Sequence, residues 1–329
     1  MVRLWQVAGG GECGHADPTI LQARRGGGDR PRAVSLGEAS LTILSIQSHV
    51  SYGHVGNSSA VFPLQRLGFE VWPIHTVQFS NHVGYADWAG QIFTPEHIRD
   101  IVDGIERRGV FADCAAVISG YMGDAAIAEA VLYAVERVRA ANPRALYTCD
   151  PVMGDVGVGL YVTDGIPDEM RERAVPAADI ITPNQFELEL LSGTAIHTLD
   201  EAIAAARRIC ATGPTVVVVT SLRHAETPDD QIEMIAVTAE TVWRVRTPFL
   251  SLDPMPHGSG DATAALFMAH YLKAGPTAER VAQALGAAAG AIFAIMAATA
   301  EAKAGELALI AAQDEIARPS RSFPVEKLG

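Results

Sequence analysis

Short apolar runs and stretches of helical periodicity alternate along the chain from Leu41 onward. The β-rich runs predict strands at 41–47, 71–77, 115–118, 145–149, 179–182 and 215–220. Apolar residues at helical spacing predict helices at 58–67, from Pro95 onward behind the cap Thr94, and at 124–141, 166–174, 185–192, 200–212, 262–273 and 277–298. Two further runs, 233–238 and 241–246, predict a β-hairpin.

This alternation predicts an α/β fold with a mostly parallel central sheet and helices on both faces. The run Val216–Val219 is apolar at every position, which is typical of a central parallel strand covered on both sides. In such sheets, ligands bind beyond the carboxyl ends of the strands. We therefore expect the functional residues directly after the strand ends, at Gln47, Val77, Ile118, Cys149, Thr182 and Thr220.

No internal repeat or linker divides residues 41–329, which predicts one domain over that range. Residues 1–40 are different, because they contain two runs of three glycines and few periodic apolar positions. That composition predicts a disordered N-terminal extension. The extension also lacks the apolar core that a secretory signal needs.

The composition argues against a general nucleic-acid binder, a disulfide-rich protein and a membrane-spanning protein. Twenty-five basic residues against 38 acidic residues give a net charge of −13, which argues against a general affinity for nucleic acid or anionic membranes. The four cysteines lack the spacing of a metal site or disulfide framework, as expected in a reducing cytoplasm. The uncharged stretch 284–300 is rich in Ala and Gly, and we interpret it as a buried helix rather than a membrane span.

The motif that carries the most chemistry is His257-Gly258-Ser259-Gly260-Asp261, immediately before a predicted apolar helix. Two glycines allow a sharp turn, and the free amides at a helix start bind anions such as phosphate. A carboxylate in that turn would repel phosphate, so it is better explained as a base for a hydroxyl proton. Taken alone, the motif is equally consistent with a simple turn and a helix cap.

Two acidic clusters follow predicted strands. Asp150 and Asp155 suit a divalent cation bound to a nucleotide, although an Asp-Pro turn with a solvated second carboxylate explains them equally well. Asn184 and Glu187, behind Thr182, could hold the water shell of a metal or form a capping box. These two roles are compatible, so the spacing does not separate them.

The polar segment 47–58 follows the first strand and is placed to meet a substrate. Its histidines, His49 and His54, are better interpreted as hydrogen-bonded structural residues than as catalytic ones. The sequence contains no P-loop motif and no dinucleotide fingerprint after the first strand. A nucleotide bound by this protein would therefore be held by neither a P-loop nor a dinucleotide-binding turn.

These residues resemble the pyridoxal kinases of the ribokinase-like superfamily. The similarity extends from about Leu41 to the C-terminus and includes SIQSHVSYGHVGN, SGYMGD, CDPVMGD, VPAADIITPNQFELELLSG and HGSGDATAAL. The resemblance implies a ribokinase-like three-layer α/β sandwich that transfers phosphate from ATP to the 5′-hydroxymethyl group of pyridoxal. It also implies Mg²⁺, with a monovalent cation such as K⁺ as an additional candidate, and a cytoplasmic homodimer.

The resemblance assigns roles to individual positions. Asp261 matches the base, and Gly258, Ser259 and Gly260 match the anion hole for the γ-phosphate. The positions near ATP and its cations are Asp150, Asp155, Thr182, Asn184, Glu187, Thr220 and Ser221, of which Asp150, Asp155 and Glu187 are the expected metal-site residues. The positions around the pyridine ring are Ser48, Val55, Phe79, Val83, Tyr121 and Tyr161. The segment Asp155–Tyr161 resembles a mobile flap that closes over ATP.

One position departs from the family pattern. After Ser80-Asn81-His82 the family usually has Thr, where this chain has Val83. Loss of one hydrogen bond to the vitamin should weaken binding by about 1 kcal/mol. The reaction should survive, but the preference among pyridoxal, pyridoxamine and pyridoxine is open.

Other functions compete with this interpretation. A hydroxymethylpyrimidine kinase could use the same base and anion hole, whereas a sugar or nucleoside kinase would need more polar groups in segment 47–58. A non-catalytic protein that binds pyridoxal 5′-phosphate would have no use for Asp261. An enzyme that forms an aldimine would need a lysine, and none lies in these motifs.

Overall fold

The computed structural model describes residues 41–328. Its strands are β1 (Thr42–Val50), β2 (Glu70–Phe79), β3 (Gly90–Ile92), β4 (Cys114–Ser119), β5 (Leu146–Cys149), β6 (Gly154–Asp155), β7 (Gly159–Leu160), β8 (Ile180–Ile181), β9 (Val216–Leu222), β10 (Gln231–Val237), β11 (Val242–Pro248) and β12 (Val325–Leu328). The disorder predicted for residues 1–40 lies outside the described residues, and the single domain predicted for 41–329 stays a prediction.

The helices alternate with the strands over most of the chain. They are α1 (Asn57–Arg66), α2 (Pro95–Glu106), α3 (Ile127–Ala141), α4 (Ile166–Glu169), α5 (Val175–Ala177), α6 (Gln185–Ser192), α7 (Leu199–Cys210), α8 (Ser259–Ala274), α9 (Arg280–Ala302) and α10 (Gln313–Ala317). A 3₁₀ turn at Phe111–Asp113 precedes β4, and a π turn at Met170–Ala174 joins α4 to α5. The Thr94 hydroxyl caps α2 by accepting the His97 N–H, as predicted.

Within residues 41–328, ten of the strands form one sheet in the order β12-β11-β10-β9-β8-β5-β4-β1-β2-β3. The central strands from β9 to β2 run parallel, and antiparallel strands continue the sheet at both edges. This topology confirms the predicted α/β fold with its mostly parallel sheet. The carboxyl ends of β1, β4, β5, β8 and β9 therefore meet at one edge.

Two hydrophobic cores cover the two faces of this sheet. Val217 and Val219 pack into one core, whereas Val216 and Val218 pack into the other. Successive side chains of a strand point to opposite faces, so an apolar residue is needed at every position of this strand. The prediction that both faces of this strand are covered is confirmed.

Helix α9 is the one helix in residues 41–328 that is long and apolar enough to cross a membrane. In the structure its residues Ala284, Leu285, Ala288 and Ile295 are fully buried in the second core, together with residues of α8. This packing agrees with its interpretation as a buried helix. The cysteines in the described part of the chain, Cys114, Cys149 and Cys210, are free thiols.

Several element boundaries differ from those predicted. The helix expected at 124–141 begins at Ile127, because the Asp124 carboxylate accepts the Ala126 N–H in a preceding turn. The helix expected at 277–298 begins at Arg280. Strands β3 and β12 were not predicted, because they are short edge strands whose residues are mostly exposed and show no apolar alternation.

Candidate active site

Three strand ends place polar residues side by side at the carboxyl edge of the sheet. The Asp150 N–H, after β5, donates to the Ser119 carbonyl at 2.9 Å, and the Thr182 N–H, after β8, donates to the Cys149 carbonyl at 3.2 Å. The Thr182 hydroxyl then donates to Asp150 Oδ1 at 2.8 Å. Both side chains are buried, so Asp150 and Thr182 form a fixed pair of polar groups at this edge of the sheet.

Asp261 lies in the first turn of α8, behind a left-handed residue, Gly258 (φ 88°). A Cβ atom at Gly258 would collide with the His54 carbonyl group, so both the conformation and the close approach require glycine. Ser59 on α1 donates its hydroxyl to the Gly258 carbonyl at 2.8 Å. Segment 53–59 therefore holds this turn in place.

The Asp261 carboxyl group has the properties of a base near neutral pH. Burial raises its pKa from 3.8 to about 6, while the hydrogen bond that it accepts from the Gly56 N–H opposes that shift. At neutral pH the group is therefore mostly ionised but still able to accept a proton. A pKa near the operating pH suits general base catalysis.

Other carboxylates surround Asp261. Burial and then the charge of Asp261 raise the pKa of Asp150 to about 8, and burial and then Asp150 raise the pKa of Glu187 well above its usual range. Burial also raises the pKa of Asp155, partly offset by the Val156 N–H and by His257. A cation placed among these groups would relieve their mutual repulsion, so the donor set fits a divalent ion.

Glu187 has a structural task that limits its direct use as a ligand. Its Oε2 accepts the Asn184 N–H at 2.9 Å and its Oε1 accepts the Met153 N–H at 3.0 Å. Asn184 Oδ1 accepts the Glu187 N–H in return, which completes the capping box of α6. Within residues 41–328, no three acidic, histidine or cysteine side chains are arranged to hold a metal ion by themselves. A cation role for Glu187 stays a prediction, and it would act through water.

The predicted flap, 155–161, overlaps a small hairpin, β6–β7, which carries Asp155. Gly157 and Gly159 have positive φ angles, and the Tyr161 N–H donates to the Met153 carbonyl at 3.1 Å. Although Tyr161 is 45% exposed, burial of its hydroxyl and the charges of Glu187 and Asp261 raise its pKa strongly. Tyr161 therefore faces the acidic centre from the flap side.

Three of the predicted ring-binding residues lie together, whereas Tyr161 lies apart from them on the flap. Val55, Phe79 and Tyr121 belong to one small apolar cluster with Val50 and Val77. This cluster is separate from the two main cores, and it lies under the loops that follow β1 and β2.

Two further predicted residues lie on the segments around Asp261 and between β2 and β3. Ser48 lies so close to Gly56 that a Cβ atom at position 56 would collide with both the carbonyl and the hydroxyl oxygen of Ser48. Gly56 is also the residue whose N–H donates to the Asp261 carboxylate. Val83 is 40% exposed on the loop between β2 and β3. The nucleotide-side positions Thr220 and Ser221 lie at the end of β9, where the Thr220 N–H donates to the Pro183 carbonyl at 3.0 Å.

Sequence reasoning missed some contacts around the site. The rings of His82 and His257 stack with centroids 3.7 Å apart, which joins the β2–β3 loop to the glycine turn. Trp88 packs on Phe79 at 4.5 Å, and Glu306 hydrogen-bonds two loops of the site. His257 belongs to the motif 257–261, which the sequence analysis identified. Glu306 belongs to no motif, so no sequence pattern indicates that it contacts the site.

The interpretation of His49 and His54 as structural agrees with the geometry. His49 Nδ1 lies 3.0 Å from the Ser58 hydroxyl, and its ring stacks on His75 at 4.2 Å. His54 Nδ1 lies 3.2 Å from the Ser58 carbonyl. Both imidazoles therefore brace the loop between β1 and α1.

A concavity of about 600 Å³ lies at the opposite edge of the sheet. It is lined by residues at the end of α7, directly before β9 and at the β10–β11 turn, including Arg207, Thr215 and Glu240. None of the carboxylates or glycines described above borders it. The polar chemistry and the rule that ligands bind beyond the carboxyl ends of strands both favour the Asp261 site instead.

Known proteins resemble this chain closely. The family model described as phosphomethylpyrimidine kinase matches residues 97–306. A pyridoxal kinase of Rubrobacter xylanophilus is 51% identical over 289 residues, covering 88% of this chain and 98% of that protein. A pyridoxal kinase of Deinococcus radiodurans is 52% identical over 290 residues, covering 87% and 96%. The structure of Leishmania donovani pyridoxal kinase with ADP and pyridoxamine matches with a TM-score of 0.80 and 31% identity, covering 88% of this chain and 100% of that one.

Proposed function

The chain belongs to the pyridoxal kinases within the phosphomethylpyrimidine kinase family, and we propose that Asp261 is the base of its reaction. It is an ATP-dependent kinase that converts pyridoxal into pyridoxal 5′-phosphate in vitamin B6 salvage. The observation that carries the role of Asp261 is its place in the first turn of α8, where it accepts the N–H of Gly56, next to Val55 of the apolar cluster, and its charge raises the pKa of Asp150.

The reaction follows from that placement. The Asp261 carboxylate removes the proton from the 5′-hydroxyl as the oxygen attacks the γ-phosphorus of ATP. The bond from the γ-phosphorus to the β–γ bridging oxygen breaks, ADP leaves, and the proton passes from Asp261 to solvent. Backbone amides of Gly258–Gly260 at the start of α8 stabilise the negative charge on the transferring phosphoryl group, aided by the helix dipole.

Mg²⁺ is the cation in this proposal, because it is usually held by one or two carboxylates together with the phosphates of the substrate. Asp150, buried at the strand end, and Asp155, on the flap, would supply the carboxylates, while Glu187 accepts the N–H groups of Met153 and Asn184. The ion would neutralise charge on the phosphates of ATP. Asn184, Thr220 and Ser221 complete the nucleotide side of the site in this proposal.

The substrate pocket suits a flat aromatic ring. Val55, Phe79 and Tyr121 supply an apolar wall, and Ser48 offers a hydroxyl beside Gly56. Val83 cannot donate a hydrogen bond, so the pocket has one fewer polar contact for substituents on the ring. We expect turnover of all three vitamers with weaker binding than a threonine at this position would give.

Two wider properties belong to the same proposal. The free thiols of Cys114, Cys149 and Cys210 and the packing of α9 in the core support a cytoplasmic location. The resemblance to pyridoxal kinases supports a homodimer, which sedimentation of the purified protein would test.

A hydroxymethylpyrimidine kinase is the second candidate, because the matching family model is named for a pyrimidine substrate. The test is ATP-dependent phosphorylation of pyridoxal and of hydroxymethylpyrimidine, each against a reaction without acceptor. Formation of pyridoxal 5′-phosphate supports the first proposal. Phosphorylation of the pyrimidine alone would keep the mechanism and replace the substrate.

A further inference from the structure

Glu306 lies outside the motifs of the active site, on the segment that follows α9, yet its carboxylate reaches two loops of the site. Its Oε1 accepts a hydrogen bond from the Tyr85 hydroxyl at 2.5 Å, and its Oε2 accepts one from the His54 N–H at 3.1 Å. His54 belongs to the loop between β1 and α1, and Tyr85 to the loop between β2 and β3. One carboxylate therefore joins three segments that are distant in sequence.

The fit of Glu306 against the first loop is tight. Gly53 has a φ of 92°, and a Cβ atom there would collide with the carboxyl group of Glu306. The glycine thus allows both the turn of the backbone and the approach of the carboxylate. A bond of a charged carboxylate to a backbone amide is stronger than a neutral hydrogen bond, so it can fix this loop.

The loop held in this way carries three contacts of the reaction centre. The His54 carbonyl packs on Gly258 of the anion-binding turn, Val55 belongs to the apolar wall, and Gly56 donates its N–H to Asp261. A shift at His54 would therefore reach the base, the anion turn and the ring pocket together.

The second loop is held at two points. The hydrogen bond to Glu306 raises the pKa of Tyr85 to about 12, which keeps its hydroxyl protonated as the donor. Three residues earlier, His82 stacks on His257. Val83 lies in the sequence between His82, which stacks on His257, and Tyr85, which donates to Glu306. The position of Val83 therefore depends on both contacts.

We propose that Glu306 is a positioning residue for pyridoxal, which acts by tying the 53–56 loop and the 82–85 loop to the segment after α9. The bonds described for the ATP side instead join residues that follow β5, β8 and β9. This inference rests on the proposed function, because it names the residue that orders the acceptor half of the same site.

The test uses steady-state kinetics of the full chain. Glu306→Ala should raise the KM for pyridoxal about tenfold and also lower kcat, because the loop contacts the base and the anion turn as well as the ring pocket. The KM for ATP should change less than about twofold, because the other proposed ATP-side residues follow β5, β8 and β9. Glu306→Gln should recover most of the loss, because an amide can accept from the His54 N–H and donate to the Tyr85 oxygen. Tyr85→Phe removes one hydroxyl and should raise the KM for pyridoxal about threefold.

Glu301→Ala is the matched control, because Glu301 is an exposed acidic residue in the last turn of α9. Equal rises in both KM values for Glu306→Ala, or a glutamine variant as impaired as the alanine variant, would overturn the proposal. If Glu306→Ala does not fold, an unchanged KM for pyridoxal in Tyr85→Phe would overturn it. Absence of pyridoxal turnover in the unsubstituted enzyme would instead contradict the proposed function.

Discussion

Gly258 and Gly260, the two glycines of the turn that we propose binds phosphate, should respond in opposite ways to substitution by alanine. Gly258 has a φ of 88°, and a Cβ atom there would collide with the His54 carbonyl, whereas a Cβ atom at Gly260 meets nothing within 4 Å. We therefore expect Gly258→Ala to destabilise the protein and Gly260→Ala to impair catalysis without destabilising it.

The magnitudes follow from these geometries. For Gly258→Ala, the left-handed conformation costs about 1–2 kcal/mol, and displacing segment 53–56 adds about 1–2 kcal/mol more. The resulting loss of about 2–4 kcal/mol should lower Tm by roughly 3–7 °C. Gly260 lies in the first turn of α8, so alanine there should stabilise the apoprotein by up to about 0.5 kcal/mol.

The activity of the Gly260→Ala enzyme separates structure from function. If the Gly260 backbone closely approaches the γ-phosphate, the added methyl group should cost about 1–3 kcal/mol of ATP binding, or about five- to 150-fold in Kd. Unfolding in denaturant without ligand and titration with ATP measure the two effects. A Gly258→Ala protein as stable as the parent, or a Gly260→Ala protein with normal ATP affinity, would refute this reasoning.

Two further predictions concern the carboxylates. Because burial raises the pKa of Asp261 to about 6 and only the ionised form accepts a proton, kcat/KM for pyridoxal should rise with pH along a limb centred near that value; full activity at about pH 5 would contradict this. Asp155→Ala should raise the Mg²⁺ concentration for half-maximal velocity about tenfold, since the flap carboxylate is lost. Substitution of the exposed Asp164 by Ala is the matched control, and an unchanged requirement in Asp155→Ala would exclude the cation role.

The sheet and most helices could be predicted from the chain because their apolar periodicity is local. The run Val216–Val219 and the cap at Thr94 are examples, and both agree with the structure. The flap strands β6 and β7 have two residues each, too few for any period to be visible. Strand β12 pairs through backbone hydrogen bonds with β11, and such pairing leaves no pattern in the side chains.

The acidic centre could also be anticipated, because the rule of strand ends places Asp150, Thr182 and Thr220 at one edge. Contacts between distant segments could not. Glu306 meets His54 across 252 positions of sequence, and the stacking of His82 on His257 depends on the folding of two loops. Glu187 illustrates an intermediate case, since its spacing allowed two roles and only the geometry shows the capping box.

The role of Asp261 is tested by formation of pyridoxal 5′-phosphate by the Asp261→Asn enzyme, with its ATP affinity determined in parallel. The asparagine side chain keeps the size of aspartate but cannot accept the hydroxyl proton in the same way. We predict that Asp261→Asn lowers the turnover of pyridoxal about a thousandfold and leaves ATP binding nearly unchanged. An Asp261→Asn enzyme that forms pyridoxal 5′-phosphate at close to the normal rate would contradict the assignment of the base.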